Sequence, residues 1–394
     1  MRPRLTREES APRERFTFIE GMRGLAALYV VLGHLCSMSD PEALHRRPTD
    51  SPAWLQAVMA PFWHGHLAVA VFIVISGFCL QAALFPGRDG RLRDVRKFLK
   101  RRAWRILPPY YACLALSLVV AVTITSTQQG MPFDQYLPVT KANVIAHALM
   151  IHNLSPDWMY KINGVLWSIG IEFQLYFLFP LLVAVLFRVG RAGLVAVGSG
   201  VAGLILLAAP GAIKLYPWYL ALFAVGMAAA HLAYRPALRG GVRPAGGLAL
   251  AVVCGFGAVL ATGQGASHLV GDALAGLAGA GVLYAGVVAP QLGLVRVLSR
   301  PSLVALGTMS YTLYLMHHPI EQIVYVNRPA GVQGETGVFL YLLAVGLPVI
   351  LVGCAALWWM FERPFQKLPG RRRAAGPLAV VVERDAARAA ARSA

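Results

Sequence analysis

Ten runs of apolar residues, each about as long as a transmembrane helix, dominate this sequence. A helix needs roughly 20 residues to cross the hydrocarbon core of a bilayer. The runs lie at 21–38, 63–85, 106–126, 164–187, 193–209, 216–234, 245–262, 269–290, 302–325 and 336–361. Only 14% of the 394 residues are charged, whereas soluble domains carry about one quarter charged residues. We therefore predict an all-α, polytopic membrane protein with about ten transmembrane helices.

The distribution of basic residues predicts how these helices are oriented. The chain has 36 Lys and Arg against 18 Asp and Glu. If the N-terminus is cytoplasmic, the connections on that side hold 26 basic residues and those on the other side hold six. Cytoplasmic loops of membrane proteins are enriched in Lys and Arg, so both termini are predicted to be cytoplasmic. The excess positive charge is thus a topology signal, and no nucleic-acid partner is expected.

Three segments follow from this reading. Residues 1–15 form a basic cytoplasmic N-terminus, 16–368 form the transmembrane domain, and 369–394 form a basic, disordered cytoplasmic tail. The first apolar run begins at residue 21 and contains an Arg and a His, so we interpret it as a retained helix rather than a signal peptide. No metal site is expected, because neither the five cysteines nor His64 and His66 have the spacing of a metal site.

Ionisable residues inside the apolar runs are costly, so each requires a reason. Arg23 and His34 are eleven residues apart in the first run. Eleven helical steps return to nearly the same face and rise by about 16 Å. One face of the first helix therefore carries a cation near the cytoplasmic side and an imidazole in the outer half of the membrane.

Counting residues from the membrane surfaces places two further groups near the level of His34. Glu172 lies about 12 Å, His34 about 10 Å and His317 about 8 Å below the outer surface. A His held by a carboxylate is the usual arrangement of a general base. We therefore predict that His34 and Glu172 are catalytic and that His317 supports them. Alone, each has a structural explanation, such as a His bonded to a carbonyl or a Glu paired with a cation.

Two further charged groups are expected at the cytoplasmic side. Arg101, Arg102 and Arg105 stand at the start of the third run, where paired basic side chains suit the binding of phosphates. Glu362 ends the last run and is expected to pair with Arg23.

Six stretches of the sequence resemble the acyltransferase 3 family of integral membrane proteins. They are GMRGLAALYVVLGH, VFIVISGFCL, FLKRRAWRILPPYY, LWSIGIEFQLYFLFP, SYTLYLMHHPI and FERPF, which follow the family's order within residues 16–368. Members of this family move acyl groups, most often acetyl, from coenzyme A to hydroxyls of sugars and glycosylated metabolites. The resemblance implies a membrane O-acyltransferase of the bacterial cytoplasmic (inner) membrane.

The resemblance also assigns roles to residues of this chain. It implies that His34 is catalytic and that Arg23, Arg101, Arg102 and Arg105 bind the acyl-CoA donor. His317 matches a His of the family, whereas His318 stands where an aromatic residue is usual. The matching stretches supply further supporting residues, which are Ser76, Trp167, Ser168 and Glu362. Acyl-CoA is then a substrate, a sugar-containing acceptor and the lipid bilayer are the other partners, and no permanently bound cofactor is expected.

Other functions stay open at this stage. Within the enzyme class, a cell-surface carbohydrate competes as acceptor with a small glycosylated natural product such as a macrolide. A transporter of a polar solute would also carry polar residues at mid-membrane depth, but no Gly- or Pro-interrupted helix pair occurs in corresponding halves of the chain. A purely structural membrane protein would not need His34, Glu172 and His317 at one depth.

Overall fold

A computed structural model of the chain describes the backbone of residues 7–44, 49–85, 89–265 and 267–366, and the side chains of all of these except residues 7–16 and 44. Every regular element in these ranges is helical, as the all-α prediction requires. The long helices are α1 (Arg7–Ser39), α2 (Gly65–Ala82), α3 (Val95–Thr123), α4 (Trp167–Ala208), α5 (Tyr219–Ala233), α6 (Pro244–Gly263), α7 (His268–Val288), α8 (Ser310–Val326) and α9 (Gly334–Gln366). Shorter α-helices are Pro41–Leu44, Ala53–Met59, Lys141–Ala148, Pro156–Met159, Gly293–Leu298 and Pro301–Thr308.

Seven helical segments in the described ranges are long and apolar enough to cross a membrane. They are Thr17–Ser39, Ala53–Ala82, Val95–Thr127, Trp167–Ala208, Pro244–Gly263, His268–Val288 and Gly334–Gln366. Helices α5 and α8 are shorter, with 15 and 17 residues. The count of ten spans is therefore not confirmed and, like the orientation of the termini, stays a prediction. Residues 1–6 and the predicted tail 369–394 lie outside the described residues.

Helix α4 accounts for two of the predicted spans, because it folds back on itself at Gly190. A straight helix of its 42 residues would be about 63 Å long. The ring of Trp167, at its start, nevertheless stacks at 4.4 Å on Tyr216, eight residues beyond its end. Eight extended residues reach at most about 29 Å, so the chain must reverse within α4. Gly190 makes this reversal with φ 75° and ψ −174°, a conformation that suits glycine.

The reversal at Gly190 lies at the same end of the bundle as two basic loops. The guanidinium of Arg91 lies 4.3 Å from the centre of the Phe187 ring, and that of Arg235 lies 5.6 Å from it. We call this end, where Arg91, Phe187 and Arg235 meet, the basic end. Trp167 and Tyr216 mark the opposite end.

Glycines allow α1 to approach the segment before α8 closely. A Cβ on Gly21 would lie 1.7 Å from the Leu298 carbonyl oxygen, and one on Gly307 would lie 1.8 Å from that of Glu20. Small residues at helix crossings permit such backbone contact in membrane proteins. This packing places the polar face of α1 against α8, and the candidate site lies there.

Candidate active site

A cavity of about 130 Å³ lies between α1, α2, α3, α4 and α8. Three cationic side chains line it, namely Arg23 from α1 and Arg102 and Arg105 from α3. The acidic side chain in the lining is Glu172 of α4. The other polar side chains of the lining are Ser76, Cys79, Ser168, Tyr176, Ser310, Tyr311 and Tyr314. The cavity therefore combines a net positive charge with several hydroxyl groups inside an apolar bundle.

The start of α3 decides which arginines face this cavity. Asp94 caps the helix by accepting a hydrogen bond of 2.8 Å from the Lys97 amide, an N-cap that fixes the first turn. Arg102 and Arg105, one turn apart, then both reach the cavity. Arg101 is exposed and is not part of the lining. The three arginines predicted to act together are thus divided between the cavity and the surface.

Arg102 is held over aromatic rings and keeps one donor unused. Its guanidinium carbon lies 5.7 Å from the centre of the Phe98 ring and 6.0 Å from that of Tyr176, within the range of cation–π attraction. Its Nε is buried and has no hydrogen-bond partner among the described residues. A buried cationic donor without a partner costs free energy, which an anion in the cavity would recover.

Glu172 belongs to a hydrogen-bonded chain in this cavity. The Tyr176 hydroxyl, one turn further along α4, donates to Glu172 Oε1 at 2.5 Å. The Ser76 hydroxyl lies 3.2 Å from the same tyrosine oxygen. Two of the predicted residues, Ser76 and Glu172, are therefore linked through Tyr176, a residue that the sequence analysis did not single out.

A second polar group, on the other side of Tyr314 from the cavity, surrounds His34. The ring of His34 lies 5.1 Å from that of His317 and 5.1 Å from that of His318, both on α8. Donor atoms of His34, His318 and Glu321 lie within 4.8 Å of one another. We call His34, His317, His318 and Glu321 the histidine group. The structure thus joins His34 to His317, as predicted from their depth.

Hydrogen bonds fix the orientation of two rings in this group. His317 Nδ1 donates to the Leu313 carbonyl at 2.9 Å, one turn back along α8, so its Nε2 carries the lone pair. His318 Nε2 lies 2.9 Å from the Tyr136 hydroxyl. His317 Nε2, His318 Nδ1 and both carboxylate oxygens of Glu321 are buried without a partner among the described residues.

Glu172 does not contact His34, contrary to the expected general-base pair. Its hydrogen bond goes to Tyr176, and it lines the cavity, whereas His34 does not. The depth count assumed that the fourth run starts at the membrane surface. In the structure, Asn163, which precedes α4, already donates to the Leu315 carbonyl in the middle of α8. The start of α4 is therefore deeper than assumed, and Glu172 lies closer to the basic end.

The level of Glu172 follows from one more contact. The hydroxyls of Ser168 and Tyr314 are 2.7 Å apart, which sets α4 against α8. Glu172 is four residues beyond Ser168 towards the basic end, or about 6 Å, and His317 is three residues beyond Tyr314 in the other direction, or about 4.5 Å. Glu172 and the histidine group are thus separated by roughly 10 Å along the helix axes.

Glu362 and Arg23 also have partners other than those expected. Glu362 Oε2 accepts from the Thr312 amide at 3.0 Å and from the Thr312 hydroxyl at 2.6 Å, because the first amides of α8 have no partner within the helix. Arg23 forms its ion pair with Glu20, at 3.4 Å. Glu362 therefore caps α8 instead of forming the predicted pair with Arg23.

Trp167 is the first residue of α4. It is buried and packs against Tyr216 and Tyr219, while the next residue, Ser168, reaches the cavity. Of these two adjacent residues, both predicted to support the site, Trp167 packs α4 against α5, and Ser168 lies in the candidate site.

Glu321, like Tyr176, is a residue of the site that the sequence analysis missed. It stands three residues after His318 and four after His317, and such spacing places side chains on one face of a helix. An acidic residue in a run as apolar as the ninth was the available signal.

The chain is similar to known proteins over most of its length. The sequence model of a family described as "Acyltransferase domain" matches residues 16–359. The O-acetyltransferase OatA of Staphylococcus aureus (strain NCTC 8325 / PS 47) is 25% identical over 386 residues, which cover 89% of this chain and 57% of that protein. A putative O-acetyltransferase of S. aureus (strain COL) is 24% identical with the same coverage.

A third relative matches a shorter part of the chain. Protein 2 in the picA locus of Rhizobium radiobacter is 26% identical over 168 residues, or 42% of this chain. The chain spans little more than half of the length of the two staphylococcal proteins. No solved structure matches the chain.

Proposed function

The chain belongs to the acyltransferase 3 family, and from this premise we propose that it is a membrane-embedded O-acyltransferase using acyl-CoA. Acetyl is the proposed acyl group, since the staphylococcal relatives are named O-acetyltransferases. The proposed acceptor is a hydroxyl of a carbohydrate or of a glycosylated compound. The proposed location is the bacterial inner membrane, with the basic end facing the cytoplasm.

The donor is proposed to enter at the basic end. The phosphates of acyl-CoA bind Arg102 and Arg105, with Arg101 at the surface beside them, through charge-assisted hydrogen bonds. The narrow pantetheine arm then extends past Arg23 towards His34. Arg23 and His34 are eleven residues apart on one helix, or about 16 Å. An extended arm covers most of that distance and brings the thioester to the histidine group.

At the histidine group, His34 is proposed to act as general base. It accepts the proton of the acceptor hydroxyl while the oxygen attacks the thioester carbonyl. The C–S bond then breaks, the acyl group stays on the acceptor oxygen, and the CoA thiolate leaves towards the basic end and takes up a proton. Transfer is direct, without an acyl-enzyme intermediate. The Glu172 carboxylate, bonded to Tyr176, offsets part of the positive charge around the donor.

One observation carries this proposal. Arg23, which lines the cavity together with Arg102 and Arg105, and the partly exposed imidazole of His34 lie on the same face of α1, in two separate layers of the bundle. This is the arrangement that an anionic donor and a neutral hydroxyl acceptor require.

The test uses purified protein reconstituted in lipid nanodiscs. The protein is incubated with isotope-labelled acetyl-CoA and a panel of sugar-containing acceptors, both cell-surface glycans and small glycosylated natural products, and products are identified by mass spectrometry. Acetylated product with wild-type protein and none with His34→Ala is expected, while acetyl-CoA binding persists in the variant. His268→Ala, at an exposed histidine outside the group, is the control. Normal turnover by a stable His34→Ala protein would contradict the general-base role.

A further inference from the structure

Glu321 has the most unusual environment of any acidic side chain in the described structure. Its side chain is 0% exposed, and neither carboxylate oxygen has a hydrogen-bond partner among the described residues. A buried carboxylate without a partner is strongly disfavoured. Glu321 must therefore hold a proton itself or face a group that becomes positively charged.

The neighbours of Glu321 show where such a charge can arise. His34 of α1 and His318 of α8 lie beside it, and His317 is one turn before it on α8. The charge of Glu321 also reaches Cys36 of α1 and Tyr136 of the 3₁₀ turn Phe133–Tyr136. None of these is a Lys or Arg. A histidine that accepts a proton is therefore the source of positive charge available beside the carboxylate.

Hydrogen bonds distinguish His34 from the other two histidines. His317 already donates Nδ1–H to the Leu313 carbonyl, and His318 is tied to the Tyr136 hydroxyl. His34 has no hydrogen bond from its ring among the described residues, and its side chain is only partly buried. It can thus meet a hydroxyl from outside the bundle while facing the carboxylate within.

From this geometry we propose that Glu321 is the carboxylate that stabilises the imidazolium of His34 during acyl transfer. The inference rests on the proposed function and gives Glu321 the part that the sequence analysis gave to Glu172. When the acceptor O–H bond breaks, its proton moves to His34, and the resulting cation lies beside the Glu321 anion. The proton leaves with the CoA thiolate. Glu321 is thus a positioning residue that acts through His34.

A metal ion held by His34, His318 and Glu321 is the competing explanation, since their donor atoms come within 4.8 Å of one another. Two features favour a proton on His34 over a metal ion as the source of positive charge. One proton supplies the single positive charge that the Glu321 carboxylate needs. His34, moreover, must keep a lone pair for the acceptor hydroxyl.

The experiment compares wild-type protein with Glu321→Gln, Glu321→Asp and Glu335→Gln, the last a control at an acid outside the group. For Glu321→Gln we expect kcat to fall by about 10²- to 10⁴-fold, as loss of general-base assistance does. The KM for acetyl-CoA should stay within about twofold, because the donor's phosphates bind elsewhere. The acidic limb of the pH–rate profile should move to lower pH, because the imidazolium loses its partner. Glu321→Asp should restore part of kcat, and Glu335→Gln should match wild type.

Several outcomes would overturn the proposal. A folded Glu321→Gln protein with wild-type kcat and pH profile would do so, as would one stoichiometric metal ion found by elemental analysis in wild type and lost in that variant. If Glu321→Gln does not fold, the test rests on Glu321→Asp, whose carboxylate is one methylene closer to the backbone. Wild-type kcat and pH profile in that variant would overturn the proposal. Absence of transfer by wild type contradicts the proposed function instead. An inactive His34→Ala beside a fully active Glu321→Gln contradicts only this inference.

Discussion

Arg101 and Arg102 are adjacent and identical in side chain, yet the structure gives them different surroundings. Arg102 lines the cavity with an unpartnered Nε, while Arg101 is exposed. We predict that Arg102→Ala raises the KM for acetyl-CoA by about 10- to 100-fold, the range for a lost hydrogen bond between two charged groups. Arg101→Ala, the matched control, should change it by less than about threefold, since exposed charges are screened. Equal effects of both substitutions in steady-state kinetics would contradict a donor site in the cavity.

At the scale of residues, local spacing was a good guide, whereas the depth count was right for His317 and wrong for Glu172. The eleven-residue spacing of Arg23 and His34 needs only helical geometry, and it agrees with Arg23 in the cavity and His34 beside His317. Glu172 and Glu362 were misassigned because their partners depend on where α4 starts and on the free amides at the start of α8. Long-range packing determines the partners of both residues, and counting residues along the sequence gives no information about that packing.

Helices α2 and α5 meet through two glycines, which allows a prediction at the scale of elements. A Cβ on Gly226 would lie 2.1 Å from the Val74 carbonyl oxygen, and one on Gly77 would lie 2.2 Å from that of Phe223. Gly226→Ala should therefore destabilise the protein by about 1–3 kcal/mol or more through overpacking. At Gly200 a Cβ meets nothing within 4 Å, so Gly200→Ala should be neutral or stabilising. The midpoints of thermal unfolding of both variants, measured in the same detergent, test this prediction. Equal midpoints would contradict the close crossing of α2 and α5.

The segment between α3 and α4 contains a stacked histidine pair with a predictable response to pH. The rings of His147 and His152 lie 4.0 Å apart and nearly parallel. Burial lowers the pKa of His147 to about 4 and, together with the neighbouring His147, that of His152 to about 3. Because both values lie below that of an unfolded histidine, about 6.5, the folded segment favours neutral rings. Its stability should be complete above pH 6.5 and fall as the pH drops towards 4.

Hydrogen exchange of residues 128–166 measures this effect. After correction for the intrinsic pH dependence of exchange, protection should be lower at pH 5 than at pH 7.5 in wild type. His152→Gln keeps a donor for the Leu166 carbonyl, which His152 Nε2 contacts at 2.9 Å, but removes one titrating ring, so its protection should change less with pH. Equal protection at both pH values in wild type would contradict the prediction.

Element boundaries show why the sequence predicts helices better than their connections. The apolar runs at 164–187 and 193–209 were treated as separate spans joined by a loop. In the structure the reversal at Gly190 joins them directly within α4. The run at 302–325 is instead interrupted between Thr308 and Ser310. Hydropathy reports the length of apolar surface. Whether a turn or a break occurs inside a run depends on single backbone dihedrals, which hydropathy does not record.

At the scale of the whole molecule, the reversal at Gly190 determines the predicted topology. If α4 crosses the membrane twice, four crossings separate Arg93 from Arg239, and both lie on the cytoplasmic side. One crossing separates Arg93 from Lys141, and three separate Arg239 from Arg328, so Lys141 and Arg328 lie outside. This agrees with the 26 to six division of basic residues. A single crossing by α4 would instead place Arg93 and Arg239 on opposite sides.

Cysteine substitutions at these four positions, made one at a time in intact cells, test this topology with a membrane-impermeant thiol reagent. Cys36, Cys113, Cys254 and Cys354 are buried and Cys79 lines the cavity, so the wild-type chain serves as the background control. We expect Lys141→Cys and Arg328→Cys to react before lysis, and Arg93→Cys and Arg239→Cys to react only after it. Reaction of position 239 but not of position 93 before lysis would mean that α4 crosses once. Reaction of both positions before lysis would mean that the protein has the opposite orientation in the membrane. The arginine cavity would then face away from cytoplasmic acyl-CoA.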